Sequence, residues 1–185
     1  MKAKTSFSLA LMAAACAVVL PAAAQGLRPG GYVVQGGVGD GRSWNAGAGV
    51  YWPWAWKSSL LGMEVGGVTE AYVSNWDAPS ASGGGRRGFT QLAVVPLVRF
   101  RFDQGRSMWF AEAGVGASAT DQLFSTPDKQ FSTSFNFVDV FGLGRSFGAA
   151  RDRELSLRVQ HVSNGGIRLP NPGQNFVQLR YAARF

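Results

Sequence analysis

The chain carries a single histidine, His161, and a serine stands two residues after it. The surrounding stretch reads Arg158-Val159-Gln160-His161-Val162-Ser163-Asn164-Gly165-Gly166. In an extended strand, residues i and i+2 share a face, with Cα atoms about 6.7 Å apart. An imidazole nitrogen reaches a hydroxyl across that gap, which is what general-base activation of an oxygen nucleophile requires. The competing reading of the pair is a polar patch without chemistry. Other chemistries fall away: one histidine among scattered carboxylates gives no metal-ligand spacing, so neither a metal nor a cofactor is expected. No glycine-rich phosphate cradle occurs between a strand and a helix. Cys16 is the only cysteine and lies in the N-terminal apolar run, which leaves no disulfide or thiol chemistry beyond it.

The elements that must hold these residues begin after residue 24. Lys2 and Lys4, the apolar run from Phe7 to Leu20 and the small residues Ala22-Ala23-Ala24 predict a secretory signal peptide over residues 1–24, cut before Gln25. Residues 25–185 then form one domain. Of the 18 Lys and Arg, 16 remain after the signal against 11 Asp and Glu, a net charge of +5. The excess is scattered arginine without a basic helix, which argues against nucleic acid and suits phosphorylated lipid.

Segments of about ten residues alternate in polarity between Gly, Pro, Asp and Ser breaks, the pattern of a membrane β-barrel. In one, Leu92, Val94, Pro96, Val98, Phe100 and Phe102 oppose Gln91, Arg99 and Arg101. In another, Trp109, Ala111, Ala113, Val115 and Ala117 oppose Glu112 and Ser118, and in the last Val177, Leu179, Tyr181, Ala183 and Phe185 oppose Gln178, Arg180 and Arg184. Eight segments are predicted, near 32–40, 43–52, 60–75, 88–102, 108–118, 131–145, 154–163 and 176–185. The fold class is thus an all-β, eight-stranded antiparallel transmembrane barrel. Connections near 53–59, 103–107 and 146–153 are short and those near 76–87, 119–130 and 164–175 longer, as periplasmic turns and outer loops are. The piece from Ala78 to Gly88 reads as an outer loop. Aromatic clusters such as Tyr51-Trp52-Pro53-Trp54-Ala55-Trp56 suit bilayer interfaces. A soluble sandwich or lipocalin-like barrel also alternates, but the terminal strand ending in Phe185 resembles the sorting signal of outer-membrane barrels.

His161 and Ser163 share parity with Leu155, Leu157 and Val159, whereas Ser156, Arg158 and Gln160 take the other face. The apolar face of such a barrel looks at lipid, so the pair points outward, where exposed polar groups are costly and call for a function. With both termini periplasmic, the seventh segment runs outward and puts the pair near the outer leaflet. The substrate implied is a lipid that never enters the barrel.

Here the chain resembles the PagL-type lipid A 3-O-deacylases. The resemblance is strongest over His161-Val162-Ser163-Asn164-Gly165-Gly166 and Pro170-Asn171-Pro172-Gly173, and looser over Phe110-Ala111-Glu112-Ala113-Gly114 and Asn136-Phe137-Val138-Asp139. It implies an eight-stranded barrel that removes the ester-linked acyl chain at position 3 of lipid A in the outer membrane. It implies Ser163 as nucleophile, His161 as base, and Asn164 with the Gly166 backbone N–H as oxyanion hole. It also implies a glutamate on the last strand to orient the histidine, and Asn175 stands at that position. Asn175 shares parity with Val177 and Leu179 and so faces the pair; an amide oxygen accepts the imidazole N–H as in Cys-His-Asn arrangements. Asp139 is an alternative orienting acid, with parity of Phe135, Phe137 and Phe141; the other reading sets it in the lumen against an arginine.

Arg42, Arg86, Arg87, Lys129 and Arg168 fall in the expected outer loops, where they meet lipid phosphates and sugars or simply make a solvated positive surface. The contrasting function is a non-enzymatic structural or adhesive barrel. A pore is disfavoured, because eight strands enclose little more than their own side chains and Arg99, Arg101, Glu112, Arg158 and Arg180 are placed to close the lumen. Whether the barrel works alone or as a homodimer is left open.

Overall fold

The computed structural model describes residues 28–185; the signal peptide expected over residues 1–24 lies outside the described residues. Nine strands follow in order: β1 (Gly31–Gly39), β2 (Ser43–Pro53), β3 (Ser58–Leu60), β4 (Met63–Pro79), β5 (Arg86–Arg101), β6 (Trp109–Thr120), β7 (Phe135–Phe147), β8 (Arg153–Ser163) and β9 (Gln174–Arg184). Each pairs antiparallel with its neighbour. The β1–β9 and β2–β4 ladders close the sheet, leaving β3 as a short ribbon on β4. The result is the closed eight-stranded barrel that the alternation predicts. The only helical pieces among the described residues are the three-residue 3-10 turns Asp40–Arg42 and Asp103–Gly105.

The barrel wall is apolar outside, and its interior holds a polar, charged layer and an aromatic one. Leu92, Val94, Phe141, Leu157, Val159, Val177 and Leu179 are exposed on its wall, while Gln91, Gln160, Gln178, Arg158 and Arg180 are buried within. A wall of that kind is satisfied by lipid rather than water. The lumen is closed in two layers. At the end remote from the termini, Trp76, Phe89, Phe124, Phe131 and Phe176 pack with ring centroids 4.9 to 5.4 Å apart. Nearer the termini, six ion pairs form a closed ring. Arg99 meets Glu112 at 2.9 Å, Glu112 meets Arg158 at 2.7 Å, and Arg158 meets Glu70 at 2.7 Å. Glu70 meets Arg180 at 2.6 Å, Arg180 meets Glu154 at 3.0 Å, and Glu154 returns to Arg99 at 2.8 Å. Burial of so many charges is tolerable because each has two opposite partners.

Two expectations need correction. Arg101, grouped by parity with the lumen charges, lies outside the ring and donates to the Ser107 and Met108 carbonyls and to Ser146 Oγ. Glu70 and Glu154 supply the missing carboxylates. The expected long loop near 76–87 is also half strand: β4 and β5 stay paired out to Pro79↔Arg86, leaving only 80–85 as connection. Trp76 turns into the lumen against Phe124 and Phe176, and Arg86 pairs with Asp77, which together hold both strands extended. The connection before β7 is correspondingly longer, since β7 starts at Phe135 rather than near 131.

Candidate active site

Antiparallel register does most of the positioning. Asp139 of β7 lies opposite His161 of β8, and His161 lies opposite Asn175 of β9. The β1–β9 ladder ends at Gly39↔Phe176, so the next residue of the turn, Asp40, comes beside Asn175. One row on the outer wall therefore reads Asp139, His161, Asn175, Asp40. Directly opposite residues are about 5 Å apart, within reach of short side chains.

Asn175 is the side chain that engages the imidazole. Its Oδ1 is 2.7 Å from His161 Nδ1, and its Nδ2 donates to Asp40 Oδ2 at 2.8 Å. No hydrogen bond joins Asp139 to His161, although Asp139 lies on the outer face with it rather than in the lumen against an arginine. Lys129 donates to Asp40 Oδ2 at 3.0 Å, to the Gly173 carbonyl at 2.9 Å and to Gln174 Oε1 at 3.3 Å. Gln174 Nε2 in turn donates to Ser43 Oγ at 2.7 Å and to the Asp40 carbonyl at 3.1 Å. The Lys129 hydrogen bond, ahead of that from Asn175, holds the Asp40 carboxyl below its ordinary range against the opposing effect of burial.

Gly173 sets the other side of the imidazole. Its φ is +68°, and a Cβ there would sit 2.6 Å from His161 Cε1. Only glycine lets the backbone pass so close to the ring in that conformation.

Ser163 closes β8, on the same face as His161 and opposite Phe137. The loop behind it is organised by Asn164, which is 1% exposed. The Asn164 amide donates to Ser132 Oγ at 3.0 Å and to the Arg168 carbonyl at 2.7 Å, while its Oδ1 accepts the Gly166 N–H at 2.9 Å. Asn171 Oδ1 accepts the Asn164 backbone N–H at 3.0 Å. The Gly165 N–H is the backbone donor aimed at Ser163 Oγ, 3.4 Å away. Below the polar row, towards the termini, the next row is Phe141, Val159 and Val177, which are 64%, 51% and 49% exposed. It forms an apolar wall beside a polar, hydrogen-bonded edge.

The loop cations are unequally available. Arg86 is committed to Asp77 and the Arg42 carbonyl, Arg87 to Gln122, and Lys129 to Asp40. Arg168 is exposed beside the site and serves the loop only through its backbone carbonyl. Asp40 and the structural use of Lys129 escape a reading by strand parity, because both lie beyond strand ends. A signal is nonetheless present: pairing the first and last strands of a closed barrel brings Asp40 next to Asn175. No group of His, Cys, Asp and Glu suited to a metal ion occurs among the described residues.

A family model described as lipid A 3-O-deacylase (PagL) matches residues 44–184. The lipid A deacylase PagL of Bordetella bronchiseptica is 38% identical over 95 residues, covering 51% of this chain and 50% of that protein. The lipid A deacylase PagL of Pseudomonas aeruginosa is 28% identical over 131 residues, covering 69% of this chain and 72% of that protein. The match to the Bordetella protein thus spans half its length. A crystal structure of the outer membrane enzyme PagL has the same fold, with a TM-score of 0.71 at 24% identity over 84% of this chain and 99% of that one.

Proposed function

The chain belongs to the lipid A 3-O-deacylase (PagL) family, and from that premise we propose that it is an outer-membrane serine esterase that hydrolyses the ester-linked 3-hydroxyacyl chain at position 3 of lipid A. The observation that carries this reading is the outward-facing His161–Asn175 hydrogen bond of 2.7 Å on the face that also bears Ser163. On a lipid-facing wall, such a polar row is costly unless it is used.

In the proposed reaction, an acyl chain lies along Phe141, Val159 and Val177 and sets its ester against Ser163. With the His161 Nδ1–H donated to Asn175, Nε2 takes the proton of Ser163 Oγ as that oxygen bonds to the ester carbonyl carbon. Nearby N–H groups stabilise the oxyanion that forms. The Gly165 N–H is nearest; the Gly166 N–H takes part by exchanging its bond to Asn164 Oδ1 for the oxyanion, and Asn164 takes part by releasing an Nδ2 donor from Ser132 Oγ or the Arg168 carbonyl. The bond from the carbonyl carbon to the sugar oxygen then breaks, and Nε2 returns its proton to that oxygen. Water, deprotonated by Nε2, attacks the acyl-serine; the intermediate collapses to the free 3-hydroxy fatty acid, and Ser163 regains its proton. Arg168 is the cation best placed to meet a phosphate of the head group, with Arg86 and Arg87 at greater cost to the loop bonds they now make.

The test is the mass of lipid A from cells with and without the protein. Loss of one 3-hydroxyacyl chain is expected, absent in Ser163→Ala and His161→Ala variants that still show the heat-dependent gel mobility of a folded barrel. Unmodified lipid A in the presence of the folded wild type would favour the structural or adhesive reading. Full activity in Ser163→Ala would remove serine from the nucleophile role.

A further inference from the structure

Resting on the serine esterase reading, the hydrogen-bond row raises a question of direction. A carboxamide presents oxygen on one side and NH2 on the other, and the two are nearly the same shape. With its oxygen towards His161, Asn175 requires the imidazole proton on Nδ1 and leaves a lone pair on Nε2. Flipped, its NH2 would require Nδ1 to accept, moving the proton to Nε2 and removing the base from Ser163. Nothing in an isolated His–Asn pair selects the first arrangement.

Asp40 does. We infer that Asp40 is a positioning residue for His161: its carboxylate, able only to accept, fixes the direction of the chain Asp40–Asn175–His161 and holds the histidine in its Nδ1–H form. The geometry is complete in this structure, with Asn175 Nδ2 2.8 Å from Asp40 Oδ2 and Asn175 Oδ1 2.7 Å from His161 Nδ1. The carboxylate is itself held. Lys129 donates to the same Oδ2 at 3.0 Å, and Gln174 Nε2 grips the Asp40 carbonyl at 3.1 Å. Lys129 is anchored in turn on the Gly173 carbonyl, so the same cation sets the turn, the glycine that packs on the imidazole, and the acid. The other charged group facing His161 is Asp139 from β7, which lies across the ladder without a hydrogen bond to the ring. Asp139 contributes charge there but no direction.

The chain thus restores through an amide part of what a carboxylate in direct contact does. It fixes the tautomer and places a negative charge roughly two hydrogen bonds from the imidazole, where Coulomb interaction at the protein surface is still appreciable.

Because His161 is the only histidine of the chain, its ring is readable without assignment. The full barrel, labelled with 15N-histidine and refolded in detergent micelles, is compared as wild type, Asp40→Asn, Asp40→Glu and Ser163→Ala. Folding is monitored by heat-dependent gel mobility. In the neutral-imidazole range, the wild type shows a protonated Nδ1 and a bare Nε2. Asp40→Asn, which bonds Asn175 in either direction, shows mixed tautomers and a kcat lower by on the order of tenfold, with KM unchanged. Asp40→Glu recovers the single tautomer and most of kcat. A single Nδ1–H tautomer in Asp40→Asn overturns the inference whatever happens to kcat, as does a mixture of tautomers with undiminished kcat. Ser163→Ala separates the two levels: full turnover there sinks the serine esterase reading, whereas the tautomer comparison judges Asp40 alone.

Discussion

Replacing Gly173 by alanine isolates the position of the imidazole. The added methyl would lie 2.6 Å from His161 Cε1 and 3.2 Å from Nε2. Carbon atoms in contact sit about 3.5–4.0 Å apart, so either the ring or the loop must retreat by about 1 Å. Asn175 holds the ring on its other side through the 2.7 Å bond, so the displacement cannot be absorbed without lengthening that bond or swinging Nε2 out of the place the proposed mechanism needs. Misplacement by about 1 Å costs on the order of 10²-fold in rate when the moved group is the catalytic base. Alanine at a φ of +68° also carries a backbone cost of roughly 1–2 kcal/mol, which must be separated from the collision. Gly62, at the opposite end of the barrel, provides the control: its φ is +75°, and a methyl added there would meet no atom within 4 Å. The assay is release of 3-hydroxy fatty acid from lipid A in detergent micelles by each folded variant. Gly62→Ala is expected to keep wild-type turnover and Gly173→Ala to lose about 10²-fold. Equal turnover in the two would mean that the imidazole does not work from the position described.

Arg158→Met removes a cation bonded to both Glu70 and Glu112 and should destabilise the barrel by about 3–5 kcal/mol in urea unfolding, since it leaves an uncompensated buried charge; a change below about 1 kcal/mol would contradict the ring as drawn. The depressed Asp40 carboxyl contributes its clamp fully above the ordinary carboxylate range, about pH 4, and loses it as pH falls through the lowered folded value. Lys129→Gln should therefore move acid loosening of the 121–134 loop to higher pH, read by hydrogen exchange; an unmoved profile would exclude Lys129 as the cause. Asn175→Ala should lower turnover more than Asp139→Asn, because only Asn175 hydrogen-bonds the ring. The reverse order would transfer the orienting role to β7.

Much of this arrangement is legible in the sequence. Period-two alternation is a direct image of a wall with two solvents, so Val159 and Arg158 declare their faces by sequence alone. Parity likewise puts His161, Ser163, Asn175 and Asp139 on one side. What alternation cannot express is how far a ladder runs past the wall, which here depends on Trp76 finding Phe124 and Phe176 inside the lumen. Nor does parity rank Asn175 against Asp139, since both lie opposite His161 and only side-chain direction separates them. Asp40 and Lys129 belong to connections, where there is no period to read, and their meeting depends on barrel closure. Arg101 shares the parity of the lumen charges, but near the strand end it finds backbone carbonyls instead of a carboxylate.

The ring of six lumen charges also governs how this sequence can drift. Its members come from β4, β5, β6, β8 and β9, and each touches two neighbours of opposite sign. Losing any one leaves the remainder with an unbalanced charge in a buried space, whereas losing an adjacent acid and base together leaves a neutral chain of four. Glu112 and Arg158, for example, can be exchanged for apolar residues as a pair at far less cost than either alone, if the volume is filled. Among relatives, positions 70, 99, 112, 154, 158 and 180 should accordingly change in neighbouring couples around the ring, from strands far apart in sequence, while the wall outside them varies one residue at a time.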